Sequence, residues 1–323
     1  MLALSPQPLE SMSSPDPLET LGRWLSARTY SFVTVTPATH ARVNARSDSL
    51  EARSVEDVFG WSRPFRPALL PREVLSLLDA AAAIEARGDL LASRVRYSTL
   101  GADLYVHSAY PTEAADSVFF GPDTYRFASL IASTLAGYKA RAPSCIVDVG
   151  CGSGAGGIVA RRTMGGGSRL VLADINPGAL HCAKINAALA GVDAEVLEAD
   201  LFAGVDTPID LIVANPPYLA DPLARLYRDG GGEHGSALSL RIVREGLARL
   251  ATGGMLVLYT GSCIVRGEDR LRRAVEVEAK RASAKLSYRE LDPDVFGEEL
   301  SRPGYEDVDR IAVVAAVFES MPA

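Results

Sequence analysis

The sequence lacks an apolar run long enough to cross a bilayer, and no charged-then-apolar leader opens it. It is poor in cysteine: Cys145, Cys151, Cys182 and Cys263 stand apart with no pair at metal spacing, and the four histidines are as scattered. It lacks an excess of positive charge. Lys and Arg number 33 against 40 Asp and Glu, giving a net charge of −7. Broad neutralisation of nucleic-acid phosphates is therefore disfavoured, although a local basic stripe is compatible with an acidic whole. No internal repeat is visible. These absences predict a cytoplasmic, reduced, metal-free protein that stays out of membranes. What is present is apolar content, 48% of 323 residues, which suits a sizeable core in one large domain plus a smaller one.

Four short apolar segments, each closed by polar residues, organise the rest: 144–149, 169–173, 194–198 and 209–214. They read as buried strands of a parallel sheet, with intervening helices such as 177–190. The first runs through Asp148 into Gly150-Cys151-Gly152-Ser153-Gly154. A glycine-rich strand-to-helix turn lets a ligand approach the backbone. The spacing differs from the dinucleotide fingerprint, and Asp148 at the same turn would repel a diphosphate while welcoming an ammonium. The second strand ends at Asp174, placed to accept ribose hydroxyls, followed by Ile175 and Asn176. The third leads to Asp200, an acceptor for an adenine amino group, with Leu201 and Phe202 beside the ring. A donor with an amino acid, a sulfonium and no phosphate, S-adenosylmethionine (AdoMet), fits this set.

The fourth strand ends in Asn215-Pro216-Pro217-Tyr218. Two prolines remove two backbone donors and force an extended chain. They leave a rigid pair of acceptors, the Asn215 carboxamide oxygen and the Pro216 carbonyl, suited to the two hydrogens of a planar NH₂. Tyr218 is expected to cover that flat group. Asn215 also borders the expected donor pocket.

Together these residues resemble class I AdoMet-dependent methyltransferases, and more narrowly the HemK-type family that methylates a glutamine side chain of release factors. The resemblance spans roughly residues 94–318. The segment Val147-Asp148-Val149-Gly150-Cys151-Gly152-Ser153-Gly154 resembles the family's AdoMet loop, and Asp174 with Asn176-Pro177 its ribose segment. Asn215-Pro216-Pro217-Tyr218 resembles its substrate-amide motif. Phe120-Gly121-Pro122-Asp123-Thr124 stands where the family has Pro-Arg-Pro-Glu-Thr, which implies substrate contacts at Phe120, Pro122 and Thr124. Gly230-Gly231-Gly232-Glu233-His234-Gly235 resembles a further glycine stretch. Gly121 departs from the family's Arg and Asp123 from its Glu, and the residues before 94 do not read as the family's compact helical domain.

The resemblance implies a doubly wound, seven-stranded, Rossmann-like α/β sheet with an antiparallel last strand near 311–318. Three divisions are expected: a loose tail (1–16), a smaller, mainly helical substrate-recognition domain carrying a β-hairpin (17–110), and the AdoMet-dependent catalytic domain (111–323). In the smaller domain, helices are expected at 17–27, 37–46 and 72–86, a short strand at 32–35, and a hairpin from 94–100 and 103–107. The implied activity is methylation of a planar amide or amino nitrogen, on a protein glutamine side chain. The alternatives are adenine-N6 or other amino methylation of RNA or DNA, N-methylation of a small molecule, and a catalytically silent AdoMet-binding partner subunit. His234 reads as a loop anchor. The acidic loop from 292 reads either as a lid or as solvated surface.

Overall fold

The computed structural model describes residues 15–137, 144–206, 208–221 and 223–321. Most of the expected tail lies outside these residues. Asp16 does not belong to a tail: its Oδ1 accepts the Leu18 N–H at 2.8 Å and caps helix α1 (Pro17–Ser26), with Pro17 at the first turn. Helices α2 (Pro37–Asn44), α3 (Val55–Phe59) and α4 (Arg72–Ala80) follow.

The helix expected over 72–86 stops early. Ala82 has φ of 50°, and Ile84–Arg87 (β1) pairs antiparallel with Leu90–Ser93 (β2). Cross-strand pairing outweighs the helical propensity of the alanines. The hairpin expected from 94 is β3 (Val95–Leu100) with β4 (Asp103–Ser108). Residues 32–35 form no strand. That segment runs extended beside β3, held by Thr99 N–H to the Phe32 carbonyl at 2.8 Å.

From α5 (Pro122–Ala136) the chain alternates: β5 (Cys145–Val149), α6 (Ala155–Met164), β6 (Arg169–Asp174), α7 (Pro177–Ala190), β7 (Glu195–Glu198), β8 (Ile209–Ala214), α8 (Ala237–Leu247) and β9 (Leu250–Val265). The two-residue β10 (Glu268–Asp269), α9 (Arg270–Arg281), β11 (Ala284–Asp292) and β12 (Val308–Ser320) complete it. The main path has seven strands in the order β11-β12-β9-β8-β5-β6-β7, and β10 attaches to β9. β7, β6, β5, β8 and β9 are parallel, while β12 is antiparallel to both neighbours. This is a Rossmann-like α/β sheet.

Alternate residues of each strand feed opposite cores, as period-2 geometry requires. Ile146, Leu172, Val213 and Val257 face Phe127, Ile131 and Ile158; Val147, Ile212, Leu256 and Val314 face Ile242, Val243 and Val275. A third cluster joins the N-terminal helices to Ala179, Cys182 and Ile185 of α7. β9 is long because Gly261 and Ser262 continue in the ladder with β12. No helix among the described residues is long and apolar enough to cross a membrane.

Candidate active site

Parallel strands place their carboxyl ends on one edge, and the chain reverses its winding between β5 and β8. A cleft opens there, enclosing about 980 Å³ including open solvent. Its walls bring together Asp148, Gly150, Cys151, Gly152, Asp174, Ile175, Asn176, Asp200, Leu201, Thr124, Asn215 and Pro217. The loop after β5 turns with positive φ at Gly150 (65°) and Gly152 (52°), which presents its backbone to the cleft.

Asp148 is only 2% exposed, and its Oδ2 accepts the Gly157 N–H at 2.7 Å at the start of α6. Burial pushes its carboxyl up to about 8, and nearby Asp174 adds to the rise. A neutral acid at the cleft floor becomes charged readily once a cation arrives. Asp174 accepts the Gly152 N–H on Oδ2 and the Asn176 N–H on Oδ1, each at 2.9 Å, and burial raises its carboxyl also. Asn176 caps α7 through Oδ1 to the Gly178 N–H (2.9 Å), and its Nδ2 donates to the Asp116 carbonyl (2.7 Å). It shapes the ribose corner as much as it borders it. Ile175 is 52% exposed and offers an apolar shelf. Cys151 carries a thiol held neutral by burial.

Asp200 lies at the rim. Arg241 Nη1 and Nη2 donate to its two oxygens at 2.8 Å, so an adenine amino group would share this carboxylate with an arginine. Phe202 is fully buried in the core under α8 and does not flank the cleft as expected.

Among the described residues no Lys or Arg lines the cleft. Asp148 and Asp174, with Asp200 held by Arg241 at the rim, suit an ammonium- and sulfonium-bearing ligand better than a phosphate. The residues present therefore fit AdoMet. Asp148 would hold its amino group, Asp174 its ribose, and Ile175 with Leu201 would border its adenine. No group of three or more His, Cys, Asp and Glu among the described residues is placed to hold a metal ion.

On the acceptor side, Asn215 borders the cleft with no hydrogen-bond partner for its carboxamide among the described residues. Pro216 is buried behind it and Pro217 forms part of the wall. Tyr218 is a correction. Its ring is 7% exposed, turned away from the cleft, and its hydroxyl donates to Asp123 at 2.6 Å, so it forms no cover over the acceptor here. Phe120 is buried too, stacked on His107 with centroids 5.0 Å apart. Pro122 opens α5 without reaching the cleft, whereas Thr124 reaches it and accepts the Gly121 N–H on Oγ1 at 3.2 Å.

Sequence reasoning missed Phe119, Phe127, Leu226 and Tyr227 in the walls. Apolar residues of helices and loops carry no periodic signal that separates a cleft wall from core. The loops beyond the turn are latched. Tyr305 Oη accepts the Ala220 N–H at 2.8 Å, and Arg228 pairs with Glu299, which is 1% exposed. Part of the acidic segment from 292 is thus buried rather than solvated. His234 anchors its loop through Nε2 and Asp307 Oδ1 at 3.2 Å.

Residues 127–276 match the family model described as methyltransferase small domain. The chain is 37% identical over 164 residues to a release factor glutamine methyltransferase of Deinococcus radiodurans, covering 48% of this chain and 55% of that protein. It is 32% identical over 123 residues to a putative protein N5-glutamine methyltransferase of Methanocaldococcus jannaschii, covering 36% and 61%. The chain thus spans about half the length of the curated relatives it matches. In fold it is similar to crystalline Trm5b of Pyrococcus abyssi, with TM-score 0.50, 12% identity, and coverage of 77% of this chain and 68% of that one. With the cleft and the Rossmann-like sheet, these likenesses show that residues 127–276 resemble a methyltransferase small domain, and that this part of the chain is similar to the release factor glutamine methyltransferases.

Proposed function

We propose that this chain is an AdoMet-dependent N-methyltransferase acting on a planar amide nitrogen, with a protein glutamine side chain as acceptor. One observation carries this reading: Asn215, whose carboxamide has no partner among the described residues, borders the same cleft as Asp148 and Asp174. The bound donor supplies an electrophilic methyl group on a sulfonium. The protein's task is alignment, which is worth up to roughly 7–11 kcal/mol of barrier when the attack geometry is held. Asn215 Oδ1 and the Pro216 carbonyl accept the two amide hydrogens, aim the nitrogen lone pair, and favour its developing positive charge. No strong base is needed, since the nitrogen becomes acidic after transfer and its proton leaves to water.

Two features favour an aliphatic amide over a nucleobase. Tyr218 is tied back by Asp123, so its ring is not free to stack on a base. The cleft walls carry no cation for phosphates among the described residues. The N-terminal unit, residues 17–110, is then the acceptor-selecting surface, and a release factor glutamine, the acceptor for which the relatives are named, is the first to test. Labelled AdoMet incubated with the protein and a cell lysate should label the protein pool, with N-methylglutamine found on digestion. Label only in RNA or in small molecules would overturn the glutamine reading, and no label in any pool would overturn the activity.

A further inference from the structure

Asp123 has no part in the chemistry above, yet it is bonded to the acceptor turn. It stands in the first turn of α5, 5% exposed. Its Oδ2 accepts the Tyr218 hydroxyl at 2.6 Å. Its Oδ1 accepts the Tyr259 hydroxyl at 2.8 Å and Arg126 Nη1 at 3.1 Å. Three donors thus converge on the two oxygens of one buried carboxyl group. Burial raises both phenols, so they remain protonated donors. Three elements meet at this one carboxylate: α5, the turn after β8, and the middle of β9.

Just beyond the turn the backbone is tied as well, with Leu219 N–H donating to the Arg228 carbonyl at 3.2 Å, Gly230 N–H to the Leu219 carbonyl at 2.9 Å and Ala220 N–H to Tyr305 Oη at 2.8 Å; within the turn the ties are few. The β8 ladder ends at Ala214, paired with Val149 and Leu258. Pro216 and Pro217 have no N–H to donate. The next fixed point is Tyr218. Its ring lies so close to Gly261 that a Cβ there would stand 2.1 Å from it, and Phe296 meets it at 6.0 Å with planes at 62°. Apolar packing of this kind restrains the ring but is non-directional; the hydroxyl bond to Asp123 fixes how far along its own axis the side chain is drawn.

We propose that Asp123 is a positioning residue: by holding the Tyr218 hydroxyl it fixes the far end of the Asn215-Pro216-Pro217-Tyr218 turn and so sets the direction of the Asn215 carboxamide. This rests on the reading of Asn215 as the group that grips the acceptor. Arg126 extends the arrangement, since its Nη2 also donates to Asp292 at 3.1 Å where the 292–308 segment begins.

The test compares Asp123→Asn, Tyr218→Phe, the double variant and Tyr259→Phe in the full chain. Tyr218→Phe keeps the ring and removes only the hydroxyl. Two readouts are taken. Hydrogen exchange at the Tyr218 (or Phe), Leu219 and Ala220 amides reports the turn without any acceptor. Turnover and donor affinity report its consequence. Asp123→Asn and Tyr218→Phe should each speed local exchange and lower turnover tenfold or more, with donor affinity within twofold. The double variant should be no worse than the poorer single one. Tyr259→Phe, which removes a donor to Asp123 from outside the turn, should lower turnover less than threefold. Unchanged exchange, additive losses, or Tyr259→Phe as damaging as Tyr218→Phe would overturn the proposal. If the native protein methylates nothing, the functional reading falls, and exchange alone still decides whether Asp123 fastens the turn.

Discussion

Asn215 and Asp148 face one cleft from the ends of adjacent strands, and each has a separable effect. Asn215→Ala removes one acceptor for the amide hydrogens and touches none of the residues expected to hold the donor's amino group or ribose. Turnover should fall on the order of 10²-fold, with donor affinity by calorimetry within a few-fold of native. Asp148 carries a pH signature. Its carboxyl is raised from 3.8 to about 8 in the folded chain. Below pH 4 both folded and unfolded chains hold the proton. Between roughly pH 4 and 8 the unfolded chain releases it first, so stability falls as pH rises through that window. The stability difference between the native protein and Asp148→Asn in urea should therefore shift in favour of the variant from pH 5 to pH 8. A donor ammonium inverts the preference, so donor binding at pH 7 should release a proton, measured by calorimetry in two buffers of different ionisation enthalpy.

Helices α5 and α6 meet over the donor loop at Gly156, where a Cβ would come within 2.4 Å of Phe127 and 3.1 Å of Asp148 Oδ2. A larger residue there pushes α6 off α5 and disturbs the carboxyl that α6 holds through Gly157. Gly156→Val is expected to cost about 1–3 kcal/mol of stability by overpacking, read from the urea midpoint, and to weaken donor binding at least tenfold. The same element shows why local reading of sequence succeeded for some segments and failed for others. The strand β5 and helix α7 were legible, since an unbroken apolar run and a Asn176-Pro177 start are local signals. The hairpin of β1 and β2 was not, because its alanines favour a helix and only pairing with the opposite strand decides otherwise. Gly261 in β9 is likewise explained only by a distant partner, since the Tyr218 ring occupies the space its side chain would fill.

Across the whole molecule, one buried side chain ties the N-terminal hairpin to the donor loop. Asn186 of α7 is fully buried. Its Oδ1 accepts the Val106 N–H at 2.7 Å, and its Nδ2 donates to the carbonyls of Val106 (3.0 Å) and Ser153 (2.8 Å). It thereby acts as a further strand residue on the edge of β4 while gripping the loop that carries Gly152 and Gly154. Asn186→Ala leaves three backbone groups short of a partner and should lower stability on the order of 3 kcal/mol. Donor affinity should fall with it, although Asn186 does not border the cleft; a variant that loses stability with donor affinity intact would show that the hairpin and the loop are independent.

The sequence by itself determined the alternation of strands and helices from α5 to β9, and the acids and glycine turn at the strand ends that border the cleft. Those follow from apolar periodicity, glycine and proline placement, and acids at strand ends, all of which are local. Only the tertiary structure decided which way the side chains of the acceptor turn face. Tyr218 and Phe120 read as substrate contacts, yet both are buried, one bonded to Asp123 and the other stacked on His107. Their partners lie 95 and 13 positions away in the chain, and the choice between facing a cleft and facing the core is made by packing and by which polar group a buried hydroxyl can find.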